Sequence, residues 1–320
     1  MREVLAIEVT AAAVRCLRLA GFGPARRVRA YVERPLPSGL LVPSSSRPNI
    51  QNEAAFSRIL AEAVGSGRPG RVRLVVPDRS VRIHILNTDA LAPHGADLRG
   101  FVAWRLRDTL PFEPREARVA FMAAPNGLPN RLMAITLVAR EQVVAQYERL
   151  IGMLGARVAH VAPAACHLFN LADLEAAGPG AWDHGFLALG IESATLILSR
   201  QGVPWYARTF PRPTAAPDGP PAPGPRPPAS LREAPSPTVK AELVQEVART
   251  LQHAADEAGL GQPAGLLLAG EMGRDAALAA ALQAGLGIPA AVLSPAPSIR
   301  GVSNLPSEAH AVLAAALARA

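Results

Sequence analysis

Lysine is almost missing from this chain, because Lys240 is the single lysine among 320 residues and every other basic residue is an arginine. A phosphate-binding P-loop needs a Gly-Lys-Ser/Thr tripeptide, so the P-loop NTPases are excluded. Two cysteines exclude a disulfide scaffold and a multi-cysteine zinc module. The seven histidines form no His-Glu-x-x-His motif or metal-spaced cluster. The sequence therefore predicts no catalytic residue and no metal site of these kinds.

Long apolar runs are missing too. Glu3 and Glu8 interrupt the first apolar stretch, so no secretory signal is predicted. No window of about 18 uncharged apolar residues is present, which predicts no transmembrane helix. We expect a cytoplasmic protein with reduced thiols.

Aromatic residues make up only 4% of the chain, whereas its formal net charge is +7. The arginine clusters at 26–29 and 71–73 have no interleaved aromatic residues on which nucleic-acid bases could stack. Nucleic-acid binding is a hypothesis that rests on the charge alone. Salt-dependent DNA binding would test it. We expect instead an ordinary solvated surface or attraction to an anionic membrane surface.

Alternating apolar strands and amphipathic helices predict an α/β protein. A strand hairpin at 4–19 leads to a third strand at 28–33, and the same plan returns at 186–198, with a third strand at 204–209. Further strands are predicted at 71–86, 118–121, 132–139, 157–161, 266–270 and 290–293. Helices are predicted at 53–65, 97–110, 141–154, 164–174, 239–257, 275–284 and 307–318.

The segment 211–237 holds eleven prolines in 27 positions. Such a composition cannot bury enough apolar surface to order itself, so a flexible, partly polyproline segment is predicted. A ligand for an SH3-like domain at Pro223-x-Pro225-Arg226-Pro227 is the alternative to a plain spacer.

Several segments, spread over most of the chain, together resemble one family. The sequence is similar to the PilM family of cytoplasmic actin-like proteins of the type IV pilus assembly platform, which is related in fold to the cell-division protein FtsA. The resemblance rests on the order and spacing of segments 4–19, 104–112, 132–144, 154–171, 187–198, 243–249, 266–273 and 286–289. Leu110-Pro111-Phe112 matches an Ile-Pro-Phe-like corner that follows a helix in the family.

The resemblance implies an actin-like (ribonuclease H-like) fold of two α/β domains with a small inserted α/β subdomain. It places the first domain at 1–94 and 158–180, the inserted subdomain at 95–157 and the second domain at 181–320.

The family also implies a nucleotide cleft, in which glycines and small hydroxyl residues let backbone N–H groups approach phosphates and carboxylates hold a hydrated metal. Its positions in this chain are Glu8, Thr10, Ala11, Arg15, Ala188, Gly190, Glu192, Gly270 and Glu271.

These positions depart from the pattern of ATP-binding members. Their first hairpin reads Asp-Ile-Gly-Ser-Ser-Ser, whereas this chain has Glu8-Val9-Thr10-Ala11-Ala12-Ala13, and Arg15 replaces a lysine. Ala188 replaces the carboxylate of the second hairpin, and Glu271 places a negative charge where a Ser-Gly-Gly-Gly loop approaches the nucleotide. We therefore expect a pseudo-ATPase without cofactors. The alternative is an active ATPase that binds ATP and Mg²⁺ and uses Glu8 and Glu192 as its carboxylates.

In the family, the cleft between the first domain and the inserted subdomain receives the N-terminal peptide of PilN, a single-span membrane protein. By motif, Leu110, Pro111 and Phe112 are the positions nearest to such a groove, although Phe112 is equally well explained as a core residue. The resemblance thus implies a cytoplasmic scaffold, peripheral at the inner membrane. Its expected partners are a PilN-like tail and other pilus-platform or secretion-motor components.

Overall fold

The computed structural model describes residues 3–21, 26–66, 69–88, 98–125, 132–175, 184–200, 202–213, 236–273, 275–293 and 300–318. Most of the proline-rich segment, residues 214–235, lies outside this range. Its two ends belong to regular elements, because Pro211 ends a strand and Pro237 begins a helix.

The described residues form strands and helices in the alternation predicted from the sequence. The strands are β1 Glu3–Val9, β2 Ala13–Ala20, β3 Arg27–Pro35, β4 Arg71–Val76, β5 Arg82–Thr88, β6 Ala117–Pro125, β7 Leu132–Arg140, β8 Arg157–Pro163, β9 Gly185–Leu189, β10 Ser193–Arg200, β11 Val203–Pro211, β12 Leu266–Ala269 and β13 Ala290–Val292. The helices are α1 Glu53–Val64, α2 Leu98–Arg105, α3 Glu141–Gly152, α4 Ala164–Glu175, α5 Pro237–Ala258, α6 Ala276–Leu286 and α7 His310–Leu317.

Two five-stranded sheets repeat one topology. The first has the order β3-β2-β1-β4-β8 and the second the order β11-β10-β9-β12-β13. In each sheet the first three strands are antiparallel neighbours, and the two later strands run parallel to the central one. The repeated hairpin plan of the sequence therefore corresponds to two copies of one sheet topology, although no internal sequence repeat is evident.

Alternation along the strands sends side chains to opposite faces of each sheet. In β1, Leu5 and Ile7 join a core with helices α1 and α3, whereas Ala6 belongs to the core between the two sheets. In β9, Leu187 packs towards α5 and α6, and Phe186 faces the first domain. Both faces of the central strands are buried, which explains their nearly continuous apolar sequences.

Helices α4 and α7 lie between the two sheets. The core that contains these helices includes Ala6 and Leu17 of the first sheet together with Phe186 and Ala188 of the second. The ring of Phe169 on α4 meets the ring of Phe186 edge-on, with centroids 5.6 Å apart. Helix α7 follows the whole second domain in the sequence, yet it contacts β1, β2, β4 and α4 of the first domain.

A third sheet, with the order β5-β7-β6, forms the inserted subdomain. Strand β5 pairs with β7 along its full length, although the predicted boundaries leave residues 82–88 in the first domain. Helix α3, placed in the insert by the same boundaries, packs Val143, Tyr147 and Leu150 into the core of the first sheet. By sheet membership and packing, the insert therefore starts at β5 and ends with β7.

Side-chain caps fix the starts of three helices. Asn52, Ser236 and Asp275 accept backbone N–H groups of the first turns of α1, α5 and α6. Helix α2 is shorter than the predicted 97–110, because the chain continues as a 3₁₀ turn at Arg107–Thr109 before Leu110-Pro111. Among the described helices, none combines the length and apolar character needed to cross a membrane.

Candidate functional site

The two hairpins and the loop after β12 meet in a cleft between the domains. A cavity of about 60 Å³ in this cleft is lined by Glu8, Thr10, Ala11, Ala188, Gly190, Glu192, Gly270 and Glu271. The fold thus brings eight of the nine sequence-predicted cleft positions to one cavity wall, and the ninth, Arg15, contacts two of them.

The guanidinium of Arg15 lies among three carboxylates. Its Nη1 is 3.4 Å from Glu8 Oε2, and its Nε is 3.4 Å from Glu33 Oε2. Its Nη1 also pairs with Glu271 Oε1 of the second domain. The side chains of Arg15 and Glu8 are each 4% exposed and that of Glu271 is 13% exposed, whereas Glu33 is 28% exposed, so the cluster is buried except at Glu33.

Strand register explains why the three first-domain residues meet. Glu8 is directly opposite Arg15 in the β1–β2 ladder, and Arg15 is directly opposite Glu33 in the β2–β3 ladder. Directly opposed residues of antiparallel strands project from the same face. That face points towards the second domain. Ala6, Leu17 and Tyr31, which project from the same face on β1, β2 and β3, contribute to the core between the domains.

The turn of the first hairpin uses its own backbone donors. The hydroxyl oxygen of Thr10 accepts the N–H groups of Ala12 at 3.2 Å and Ala13 at 3.0 Å, and the Thr10 N–H donates to Ala13 O. A phosphate held at a hairpin of this kind needs free N–H groups. The amides of Ala12 and Ala13 are already paired with Thr10.

The turn of the second hairpin is closed in a different way. Gly190 N–H donates to Ser193 O at 2.9 Å, and Arg212 donates from its backbone N–H to Glu192 O and from Nε to Ile191 O. Burial raises the pKa of the half-buried Glu192 carboxyl, an effect opposed by Arg79. Glu192 therefore lines the cavity but has no place in the Arg15 cluster.

Glycines hold Glu271 in position. Gly270 has a φ of +92°, and a Cβ there would lie 2.6 Å from Leu189 O. A Cβ on Gly273 would lie 2.4 Å from Ala269 O, and Met272 N–H donates to Leu189 O. The loop thus packs its backbone directly on the end of β9, and this close packing directs the Glu271 side chain into the cleft.

Asp78 forms a second polar contact between the domains. It follows β4 at the predicted Pro77-Asp78 break, where its Oδ1 accepts the N–H of Ala165 and its Oδ2 accepts the hydroxyl of Thr195, both at 2.9 Å. The Thr195 hydroxyl is also 3.0 Å from that of Thr209. Sequence reasoning missed Glu33, Asp78 and Thr195 as site residues, and the only signal for Asp78 was a charged residue between two apolar strands.

The electrostatics of the cleft are dominated by burial. Desolvation raises the pKa of Glu8 to about 7, although Arg15 opposes the rise. Burial also raises the pKa of Glu271 and of Asp78 above the ordinary values for carboxyl groups. One guanidinium is thus shared by three carboxylates, two of which have raised pKa values.

The residues do not fit a magnesium nucleotide. Glu8 and Glu271 are paired with Arg15, and the amides of Ala12 and Ala13 are paired with Thr10. A cavity of about 60 Å³ is also far below the ~300 Å³ or more typical of a small-molecule site.

The fold places the three motif residues predicted for a partner groove in two different environments. Leu110 and Phe112 pack against the small core of the insert, formed by Val102, Leu106, Val119 and Val138. Pro111 is exposed and lines a different crevice, between the insert and the second domain. Phe112 is half-buried, and its side chain packs against this core.

A groove does run between the first domain and the insert, but other residues form it. It has a volume of about 640 Å³ and is lined mainly by β6, β7, α3 and β8. Strand β8 is the edge of the first sheet and β6 is the edge of the insert sheet. Its apolar surface includes Val119, Leu137, Val144, Val158 and Val161.

Two sheets of one topology, a helix layer between them, and hairpin turns that face one cleft define an actin-like fold. No protein-family model matches the chain, and no curated protein matches it. Among solved structures, a Bacteroides thetaiotaomicron protein with an actin-like ATPase fold and unknown function is 8% identical, with a TM-score of 0.55 over 99% of this chain and 96% of that one.

The fold is PilM-like in particular. A chain of the PilM–PilN type IV pilus biogenesis complex is 19% identical, with a TM-score of 0.76 over 98% of this chain and 97% of that one. The cytoplasmic domain of EpsL, an inner-membrane component of the type II secretion system of Vibrio cholerae, is 10% identical, with a TM-score of 0.51 over 99% of this chain and 95% of that one. The actin-like fold with an inserted subdomain, expected from the sequence, is confirmed.

Proposed function

We propose that this chain is a cytoplasmic scaffold of a type IV pilus or related secretion assembly platform, peripheral at the inner membrane. It binds the N-terminal tail of a PilN-like single-span membrane protein and does so without hydrolysing ATP. The observation that carries the proposal is a groove between two open strand edges, in a fold similar to that of a PilM–PilN complex.

The groove suits an extended peptide. Among the described strands, neither β8 nor β6 has a partner on its outer edge, so both edges present backbone N–H and C=O groups. An added strand can pair with such an edge and place alternate side chains in neighbouring pockets. Val158 and Val161 offer half-buried apolar surface on the β8 side, as Leu137 does on the insert side.

Ion pairs hold the rim of this groove. Arg118 of β6 forms two hydrogen bonds with Glu148 of α3, at 2.6 and 2.9 Å, and a further one with Glu141 at 3.3 Å. These bonds connect the insert to the first domain. The bonds favour one placement of the groove walls before a peptide arrives, which lowers the entropic cost of binding.

The cleft supports a role that does not depend on ATP turnover. Glu8, one of the two carboxylates required by the alternative ATPase, is paired with Arg15, and Glu192 lies outside that cluster. Both carboxylates line the same cavity, but Glu8 already has a cationic partner there, which opposes metal binding at that position. The scaffold hypothesis needs the fold and the groove but not the cleft chemistry.

The test is binding of a fluorescein-labelled peptide that copies the cytoplasmic tail of the PilN-like protein of the same organism, followed by fluorescence anisotropy. Ala120→Asp on β6 and Ala159→Asp on β8 place a charge at exposed groove positions. We expect each to weaken binding by about tenfold or more, which corresponds to about 1.4 kcal/mol.

Ala61→Asp, on the exposed side of α1, is the matched control and should bind like the unmodified protein. A peptide N-methylated at alternate amides should also bind more weakly if strand pairing contributes. Absence of saturable binding by the tail peptide, or equal binding by all three variants, would overturn the groove assignment.

A further inference from the structure

The cleft contains a charge arrangement that the proposed scaffold role does not require. Arg15 carries its positive charge to the place where the carboxylates of the two domains converge. Carboxylates that face each other across a cleft repel unless a cation lies between them. In this chain, a side chain of the first domain supplies that cation.

We propose that Arg15 and Glu271 form an interdomain lock, in which the Arg15 guanidinium is the cation that keeps the cleft closed. The lock needs no ligand. The proposal rests on the two-domain fold and on these contacts, and not on the identity of any partner.

The position of Arg15 is set entirely by the first domain. Glu8 and Glu33 flank it on adjacent strands, and the Tyr31 hydroxyl fixes Glu33 by donating to its Oε2 at 2.8 Å. The guanidinium is thus held ready before the second domain meets it. Preorganisation of this kind reduces the side-chain entropy lost when an ion pair forms.

The position of Glu271 is set entirely by the second domain. Gly270 and Gly273 allow the loop to lie against β9, with Met272 bonded to Leu189. Each half of the lock is therefore rigid within its own domain, and the ion pair is the step that connects them. Whether this ion pair forms therefore depends directly on the relative position of the two domains.

The remaining contacts between the domains divide into an apolar layer and polar contacts. Helices α4 and α7 form the apolar layer, and burial there does not depend on charge. Among the described residues, the polar contacts include Arg15–Glu271, Asp78–Thr195 and the backbone hydrogen bond from the Val28 N–H to Arg300 O. Loss of the Arg15–Glu271 contact should let the cleft widen about the apolar layer without separating the domains.

The experiment measures the distance between spin labels on the two domains by double electron–electron resonance. Labels at Arg58→Cys on α1 and Ala280→Cys on α6 occupy exposed positions, and Cys16 and Cys166 are replaced with alanine in every sample. We expect one narrow distance distribution for the parent protein without any nucleotide. Glu271→Arg should shift the distribution to longer distances and broaden it, and Glu271→Gln should do so to a smaller extent.

Glu246→Gln is the matched control, because it also removes a carboxylate that pairs with an arginine, Arg208, but within the second domain. It should leave the interdomain distance unchanged. Circular dichroism is used to check that each variant is folded. Glu271→Gln, which keeps the size of the side chain, remains informative if Glu271→Arg fails to fold.

An unchanged distance distribution in folded Glu271→Gln and Glu271→Arg would overturn the lock. Because no peptide is present, this result is independent of the partner test. Failure of the lock and failure of the scaffold proposal are thus distinguishable.

Discussion

The Glu271 carboxylate of the second domain meets the Arg15 guanidinium of the first, and two further carboxylates fix that guanidinium from its own sheet. Removal of one member of a buried ion pair leaves an uncompensated charge, which costs about 3–5 kcal/mol. We therefore expect Arg15→Met to lower the free energy of unfolding by about this amount, as measured by urea denaturation.

A double-mutant cycle tests whether that loss involves Glu271. In the background of Arg15→Met, the further change Glu271→Gln should cost much less than it does alone, because the interaction is already gone. Additive losses in the double variant would show that the two side chains are energetically independent.

The raised pKa of Glu8 predicts a pH dependence. Burial raises it from 4.5 to about 7, so the folded state binds a proton that the unfolded state releases at lower pH. The contribution of Glu8 to stability is therefore fully present below about pH 4.5 and is lost as the pH rises through about 7. Glu8→Gln should remove this loss.

The measurement is the difference in melting temperature between the parent protein and Glu8→Gln as a function of pH. Burial also raises the pKa values of Glu271 and Asp78, and both groups are present in the parent protein and in the variant. A difference that does not change across this pH range would contradict the raised pKa.

The hydrogen bond from Thr195 to Asp78 should contribute to stability across the domain boundary. Thr195→Val keeps the shape of the side chain but leaves Oδ2 of a buried carboxylate without this donor. We expect a loss of about 1–3 kcal/mol in chemical denaturation. Thr209→Val is the control, since its hydroxyl contacts Thr195 but not Asp78, and it should cost less.

ATP should not bind in this cleft. Isothermal calorimetry with magnesium and ATP at millimolar concentration should give no saturable heat, because Arg15 is paired with Glu8 and the Thr10 hydroxyl accepts the Ala13 amide. Micromolar binding would show that the cleft opens to admit the nucleotide. Magnesium-dependent turnover that is lost in Glu8→Ala would favour the ATPase alternative.

The loop that presents Glu271 should tolerate no side chain at Gly270. Gly270→Ala combines a positive φ with a Cβ 2.6 Å from Leu189 O, whereas Gly287→Ala has a positive φ of +69° in open space. Backbone strain alone costs about 1–3 kcal/mol, so Gly287→Ala measures strain and Gly270→Ala should cost more. Equal melting temperatures of the two variants would argue against the close packing of this loop on β9.

Most of the fold could be predicted from the sequence, because the strands of both sheets are apolar and many of them pair with the next strand along the chain. The two hairpins at 4–19 and 186–198 each show a complete unit of two strands and a turn. The sheet to which β5 belongs was harder to predict, because its alternation of apolar and polar residues fits an edge strand of either the first sheet or the insert sheet. Only pairing with β7, far along the chain, decides where it lies.

The cleft shows where sequence reasoning ends. Arg15 and Glu271 were each identified as departures from a nucleotide site, but their pairing depends on how two domains meet. A local sequence pattern does not predict a contact between two residues that are 256 positions apart, which is the difference between 271 and 15. Phe112 illustrates the opposite difficulty, since an apolar residue beside a proline suits a small core as well as a groove.

Helix α7 has a consequence for how this protein is made. Residues His310–Leu317 follow the second domain, yet they cover the first sheet, and Arg73 of β4 donates to the carbonyls of Ala315 and Ala316. A chain emerging from the ribosome therefore exposes one face of its first sheet until the second domain has been synthesised. Vectorial synthesis cannot finish the domains one after the other, because the first sheet lacks the cover of α7 until the last residues have been added.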